Sequence, residues 1–145
     1  MKNNYEDQYE NILKKFELLK IEAKEDCKII KTELETQFIN TELLIRWLNK
    51  FTQWKSLHRI YDQDKKKKFR ELFEYYRTEY ELKLSNKDEI LLFVESDPNF
   101  TAINNLYHIS KDVTDYISSV LDILKGRGYE MKEISAWIRF QSGQR

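Results

Sequence analysis

Three glycines and one proline in 145 residues leave this chain few places to turn sharply. Tight hairpins and phosphate-cradling loops rely on residues that reach positive φ or fix a corner, and a fold rich in them needs more of both. Helices are therefore the expected element. The length suits one compact domain with a core of its own, and two complete domains would be crowded. Aromatic residues make up 14% of the chain and charged residues 34%. Tyr, Phe and Trp must then supply much of the buried surface beneath a heavily solvated exterior.

The apolar spacing agrees. Tyr9, Ile12, Leu13, Phe16, Leu19 and Ala23 recur at threes and fours, which predicts a surface-lying amphipathic helix from Tyr5 to about Lys31. Asn40, followed by Thr41 and Glu42, reads as the cap of a second helix. At 100° per residue Leu43, Trp47, Phe51, Trp54, His58 and Tyr61 fall close to one line, with Arg46, Lys55 and Arg59 on the flanks. Six aligned residues describe a core stripe before they describe base-stacking platforms. The pattern resumes through Phe69, Leu72, Phe73 and Tyr76, as one long helix or two divided near Asp62 to Asp64.

Beyond it, residues 79–84 alternate polar and apolar, as a short strand or extended connector would. Asp88 to Val94 reads as a short helix, and Asp97 before Pro98 as a fresh helix start. The stripe Ile109, Val113, Ile117, Val120, Leu121 and Leu124 predicts a helix that ends at Lys125, with Gly126 as its left-handed cap. Met131, Ile134, Trp137, Ile138 and Phe140 then form a short apolar last helix closed by Ser142 and Gly143. Such a helix is marginal alone and must dock on its own domain or on a sister subunit. The expected fold is all-α: amphipathic helices in one compact domain over residues 1–125, with a C-terminal oligomerisation helix over residues 126–145.

Net charge is zero, but its distribution is uneven. Between residues 46 and 70 stand Arg46, Lys50, Lys55, Arg59, Lys65, Lys66, Lys67, Lys68 and Arg70, against only Asp62 and Asp64. Residues 71–100 reverse the balance, with eight acidic side chains against Arg77, Lys83 and Lys87. A chain polarised in this way can turn a basic face towards phosphates. Four consecutive lysines project around the whole of a helix, so they cannot all serve a core; a solvated face or a polyanion must relieve their repulsion.

Enzymatic chemistry finds little here. No serine or cysteine stands in a nucleophile elbow, and Gly126 and Gly128 lack the lysine and hydroxyl residue of a phosphate loop. His58, His108 and Cys27 show no metal-ligand spacing. A single cysteine excludes an intrachain disulfide. Met1 to Glu10 is polar, and no run of about 18 apolar residues occurs. The expectation is a non-enzymatic, cytoplasmic protein without metal, cofactor or membrane contact.

Four stretches resemble the UvsY family of phage recombination mediators: RWLNK at Arg46 to Lys50, the basic run ending in ELFEYY at Tyr76, NKDEI at Asn86 to Ile90, and LDILKGRGYEMKEISAWIRFQSG at Leu121 to Gly143. The last is the most specific. About the first 35 residues match poorly, and Arg77 stands where the family has glycine after its paired tyrosines. The resemblance implies an all-helical, non-catalytic subunit in the cytoplasm of an infected host. It further implies a homo-oligomeric ring of about six or seven subunits. Such a ring binds single-stranded DNA, displaces a single-strand binding protein and loads a phage recombinase. The candidate DNA-binding residues are then Lys50, Lys55, Arg59, Lys65, Lys66, Lys67, Lys68, Arg70, Tyr75 and Tyr76, and the candidate assembly residues Ile134, Trp137, Ile138 and Phe140. The alternatives are a helical scaffold whose charges only keep it soluble, and a double-stranded DNA architectural protein.

Overall fold

The computed structural model describes residues 4–28, 33–84 and 86–143. Four α-helices carry almost all of them: α1 (Asn4–Asp26), α2 (Glu33–Glu74), α3 (Lys87–Ser96) and α4 (Pro98–Gln141). No strand occurs among the described residues, and 80–84 is the extended connector of the two expected alternatives.

The two long helices run antiparallel and share the largest interface. Asn40 meets Leu124 and Arg127, His58 meets Ser110, and Phe69 meets Phe100, so positions climb on α2 as they fall on α4. α1 runs alongside the pair, parallel to α4 and antiparallel to α2: Phe16 meets Tyr116, Arg127 reaches the Asp26 carbonyl, and the Tyr61 hydroxyl donates to Gln8 at 3.0 Å while Lys50 pairs with Glu22. The expected stripe of α4, Ile109, Val113, Ile117, Val120, Leu121 and Leu124, is buried throughout and forms the centre of the core, which Ile103 and Leu106 extend towards the start of the helix. Each such burial stabilises by about 1.5–3 kcal/mol relative to exposure. From α2, Leu43, Trp47 and Tyr61 are buried, while Phe51 and Trp54 pack against the cluster half-buried. The stripe on α2 is thus core, as its alignment implies.

Three boundaries differ from expectation. α1 ends at Asp26, and Lys31 lies outside the described residues. Asn40 is no cap: α2 already runs from Glu33, and Asn40 is buried within it. Its amide donates to the Leu124 carbonyl at 3.1 Å and its oxygen accepts from Arg127 Nε at 3.0 Å, so tertiary partners take the role that a helix end was expected to supply. α2 then continues unbroken past Asp62 to Asp64.

Nor does α4 stop at Lys125. It passes through Gly126 and Gly128 to Gln141, 44 residues in all. Each interior glycine costs about 0.5–1 kcal/mol against alanine, a sum that the packed turns before them outweigh. Gly128 is small because a Cβ there would lie 3.3 Å from Asn40 Nδ2. The left-handed residue that closes the helix is Gly143, at φ 73°, with its N–H bonded to the Phe140 carbonyl at 3.2 Å. At the other end Asp97 caps α4 as expected, accepting from Asn99 N at 2.8 Å with Pro98 in the first turn.

Candidate nucleic-acid interface

An unbroken α2 fixes where its cations point. Stepping 100° per residue places Lys55, Arg59, Lys66 and Arg70 within about 60° of one line. That line lies roughly 120° from the buried face centred on Trp47, Trp54 and Tyr61. All four side chains are exposed. The line from Lys55 to Arg70 is about 22 Å long. Asp62 lies on it, but its carboxylate already accepts from Lys66 at 3.1 Å. Among the described residues, Arg59, Lys67 and Arg70 are joined to no carboxylate.

The structure separates the other expected cations. Lys50 is on the opposite flank, 3.4 Å from Glu22 of α1, with its ammonium 5.7 Å from the Trp47 ring centroid. Lys68 shares that flank and pairs with Glu71 at 3.3 Å. Lys65 leans inward, its ammonium 4.1 Å from the centre of the Tyr107 ring, a cation–π contact that ties α2 to α4. Tyr107 in turn packs at a tilt against His58, whose Nδ1 lies 2.9 Å from the buried Ser110 hydroxyl. Of the lysine run, Lys66 and Lys67 face outward.

Below Arg70 the helix widens into one π turn, Tyr75–Glu79, with the Tyr80 N–H bonded to the Tyr75 carbonyl at 3.0 Å. The extra residue in the turn gathers Tyr75, Tyr76, Tyr80 and Phe93 with ring centroids 5.0–6.2 Å apart. Tyr75 is exposed. Tyr76 is tied down, its hydroxyl donating to Asp97 Oδ2 at 2.6 Å. That hydrogen bond, and secondly burial, push the Tyr76 hydroxyl up to about 12.

One feature of this face escaped the sequence pattern. Phe73 lies on the same line of α2 as Lys55 and Lys66, and with Phe69, Phe100 and Leu91 it lines a groove rimmed by Lys65, Lys66, Arg70, Glu74 and Lys87. Grouping Phe73 with the core positions hid it; carrying the helical phase of Lys66 seven residues onward would have found it.

The opposite end of the molecule holds the expected assembly residues. The α2–α4 register sets Glu33, where α2 begins, opposite about residue 134 of α4. The last turns of α4 therefore project past it, and Trp137 and Phe140, their rings stacked 6.1 Å apart, are 59% and 76% exposed. Ile138 is exposed as well. The Ile134 side chain lies outside the described residues.

The model of the family described as recombination, repair and ssDNA binding protein UvsY matches residues 22–144. The chain belongs to the UvsY family. The recombination protein uvsY of Enterobacteria phage T4 is 25% identical over 136 residues, covering 90% of this chain and 99% of that relative. Two crystal structures of the phage T4 recombination mediator protein UvsY share its fold. One has a TM-score of 0.76 at 24% identity and covers 87% of this chain and 98% of that one. The other, in a second lattice, has a TM-score of 0.77 at 23% identity. As a UvsY-family member the chain is a recombination mediator that binds single-stranded DNA. Among the described residues no helix is long and apolar enough to cross a membrane, and no cluster of His, Cys, Asp and Glu could hold a metal ion.

Proposed function

We propose that this protein acts as a homo-oligomeric ring that grips single-stranded DNA, displaces a resident single-strand binding protein and loads a phage recombinase in the infected cell, without catalysing a covalent step itself. The observation that carries this reading is the exposed line Lys55, Arg59, Lys66 and Arg70, within the stretch that the family model matches. Lys67, Tyr75 and Tyr76 extend it, and Lys50, Lys65 and Lys68 add positive potential from its flanks. The mediator need only favour the strand conformation that the recombinase also prefers, since a ligand shifts an equilibrium by its differential affinity for the two states. The last turns of α4 serve assembly: Trp137, Ile138 and Phe140 give them an exposed apolar surface that a sister subunit would cover, and Ile134 is assigned to the same role from its place in the sequence.

Charge reversal of Lys66, Lys67 and Lys68 to Glu tests the reading in a particle whose size is verified by light scattering. Retention of a labelled single-stranded oligonucleotide should fall by at least tenfold, and unlabelled single strand should compete better than duplex at matched salt. Undiminished retention would leave a helical scaffold as the better account, and preference for duplex an architectural one.

A further inference from the structure

We infer that the groove between α2 and the start of α3 is a nucleobase pocket, in which one base of the bound strand leaves the stack and lies against Phe73 and Phe69. The inference rests on the single-strand-binding role proposed above and deepens it. The groove has a volume of about 590 Å³, within the range of small-ligand sites. Its floor is aromatic: Phe69 and Phe73 are 6.2 Å apart and 29° from parallel, and Phe100 meets Phe69 edge-on at 6.0 Å. Phe69 also packs against the core, whereas Phe73 does not belong to that cluster. A large half-buried ring that the core does not use, facing an open groove, is an apolar surface for something from outside.

The rim says what that something is. Lys65, Lys66 and Arg70 from α2 and Lys87 from α3 surround the aromatic floor, and the one carboxylate among them, Glu74, is held by Arg77 at 2.8 Å. Cations around stacked rings suit a ligand that is flat and apolar at its centre and anionic at its edges, which describes a base on its sugar-phosphate chain. Position agrees, because Phe73 continues the line of Lys55 and Lys66, so a strand following those cations reaches the groove without changing direction. The apolar end of α4 in a second copy suits it less, since Arg139 stands between Ile138 and Phe140 and would meet a rim of its own sign.

The test compares two fluorescently labelled oligonucleotides of equal length at one salt concentration, oligothymidine and its abasic counterpart, which share phosphates and differ in bases. The full-length protein should bind the base-bearing strand at least about fivefold more tightly, the lower end of what one stacked base contributes. Phe73→Leu should bring that ratio close to one, leaving abasic affinity and particle size unchanged. Leu91→Trp, which fills the groove without removing a charge, should do the same. Equal affinity of the unaltered protein for the two strands would overturn the pocket, as would an undiminished ratio in both variants. A changed particle size with an intact ratio would do so too, and would identify a second copy as the occupant. Failure to bind either strand would instead defeat the proposed function itself.

Discussion

Arg127 joins three helices through one guanidinium. It is buried, its Nε donates to Asn40, and its Nη1 donates to the backbone carbonyls of Asp26 and Lys28, both at 2.8 Å. The Asp26 carboxylate is engaged elsewhere, by Arg46 and by the Trp47 indole at 2.9 Å. Arg127 therefore meets the negative end of the α1 dipole and not a side-chain anion. Replacing it with Met should cost about 1–3 kcal/mol, chiefly because the buried Asn40 amide oxygen loses its donor, with the part-buried carbonyls of Asp26 and Lys28 losing theirs as well. Lys would not restore the loss, lacking the planar fork that serves Asn40 through one nitrogen and the two carbonyls through another. Urea unfolding midpoints report both. Tyr76 offers a pH-dependent case. Its hydroxyl is raised from 10.0 to about 12 by donating to Asp97, so folding favours the protonated form. That contribution is complete below pH 10 and disappears as pH rises towards 12. Tyr76→Phe should destabilise the protein by about 1 kcal/mol at pH 8. The gap between the two proteins should shrink by pH 11 in denaturant titrations; a constant gap would remove the hydrogen bond as its cause.

Helix periodicity made most of the secondary structure legible, because a stripe such as Ile109 to Leu124 reports the burial that stabilises it. The ends were harder to read. Asn40, Gly126 and Gly128 carry the local signature of helix termini, yet all three are interior to helices, and the groups that Asn40 and Gly128 meet stand more than 80 residues away in sequence. Local propensity is a weak prior against such packing. The basic face was legible as composition, but its division into the exposed line and the inward or flanking Lys50, Lys65 and Lys68 depended on knowing that α2 does not break. The two glycines of α4 separate helix propensity from packing. A Cβ at Gly126 meets nothing within 4 Å, so Gly126→Ala should stabilise by about 0.5–1 kcal/mol. At Gly128 the added carbon presses on Asn40, whose amide is fixed at both ends by Leu124 and Arg127 and cannot give way. Gly128→Ala should therefore gain less than Gly126→Ala or destabilise outright. Thermal melts of the two single variants decide it, and equal gains would show that Asn40 yields.

At the scale of the whole molecule the basic line and the projecting end of α4 lie at opposite ends of the same helical pair. One subunit presents three or four useful cations, and each phosphate neutralised on a single strand adds only about 0.7 to the slope of log affinity against log salt. A lone subunit is accordingly a weak binder at physiological salt. Repeating the line around an assembly makes every contact after the first intramolecular, so the slope and the affinity grow together although no new kind of contact is made. Trp137→Asp places a charge in the exposed apolar turn without touching the basic face, and should yield smaller particles that retain the helical content of the parent. Their affinity for a long oligonucleotide should fall by more than that of an assembled Lys66→Gln or Arg70→Gln variant, with a shallower salt slope. On an oligonucleotide short enough to engage one subunit the difference should vanish, because effective concentration has no second site on which to act. Equal affinity of the small particles and the parent for the long strand would place the whole of the binding energy within one subunit, leaving the projecting apolar turns without a part in holding DNA.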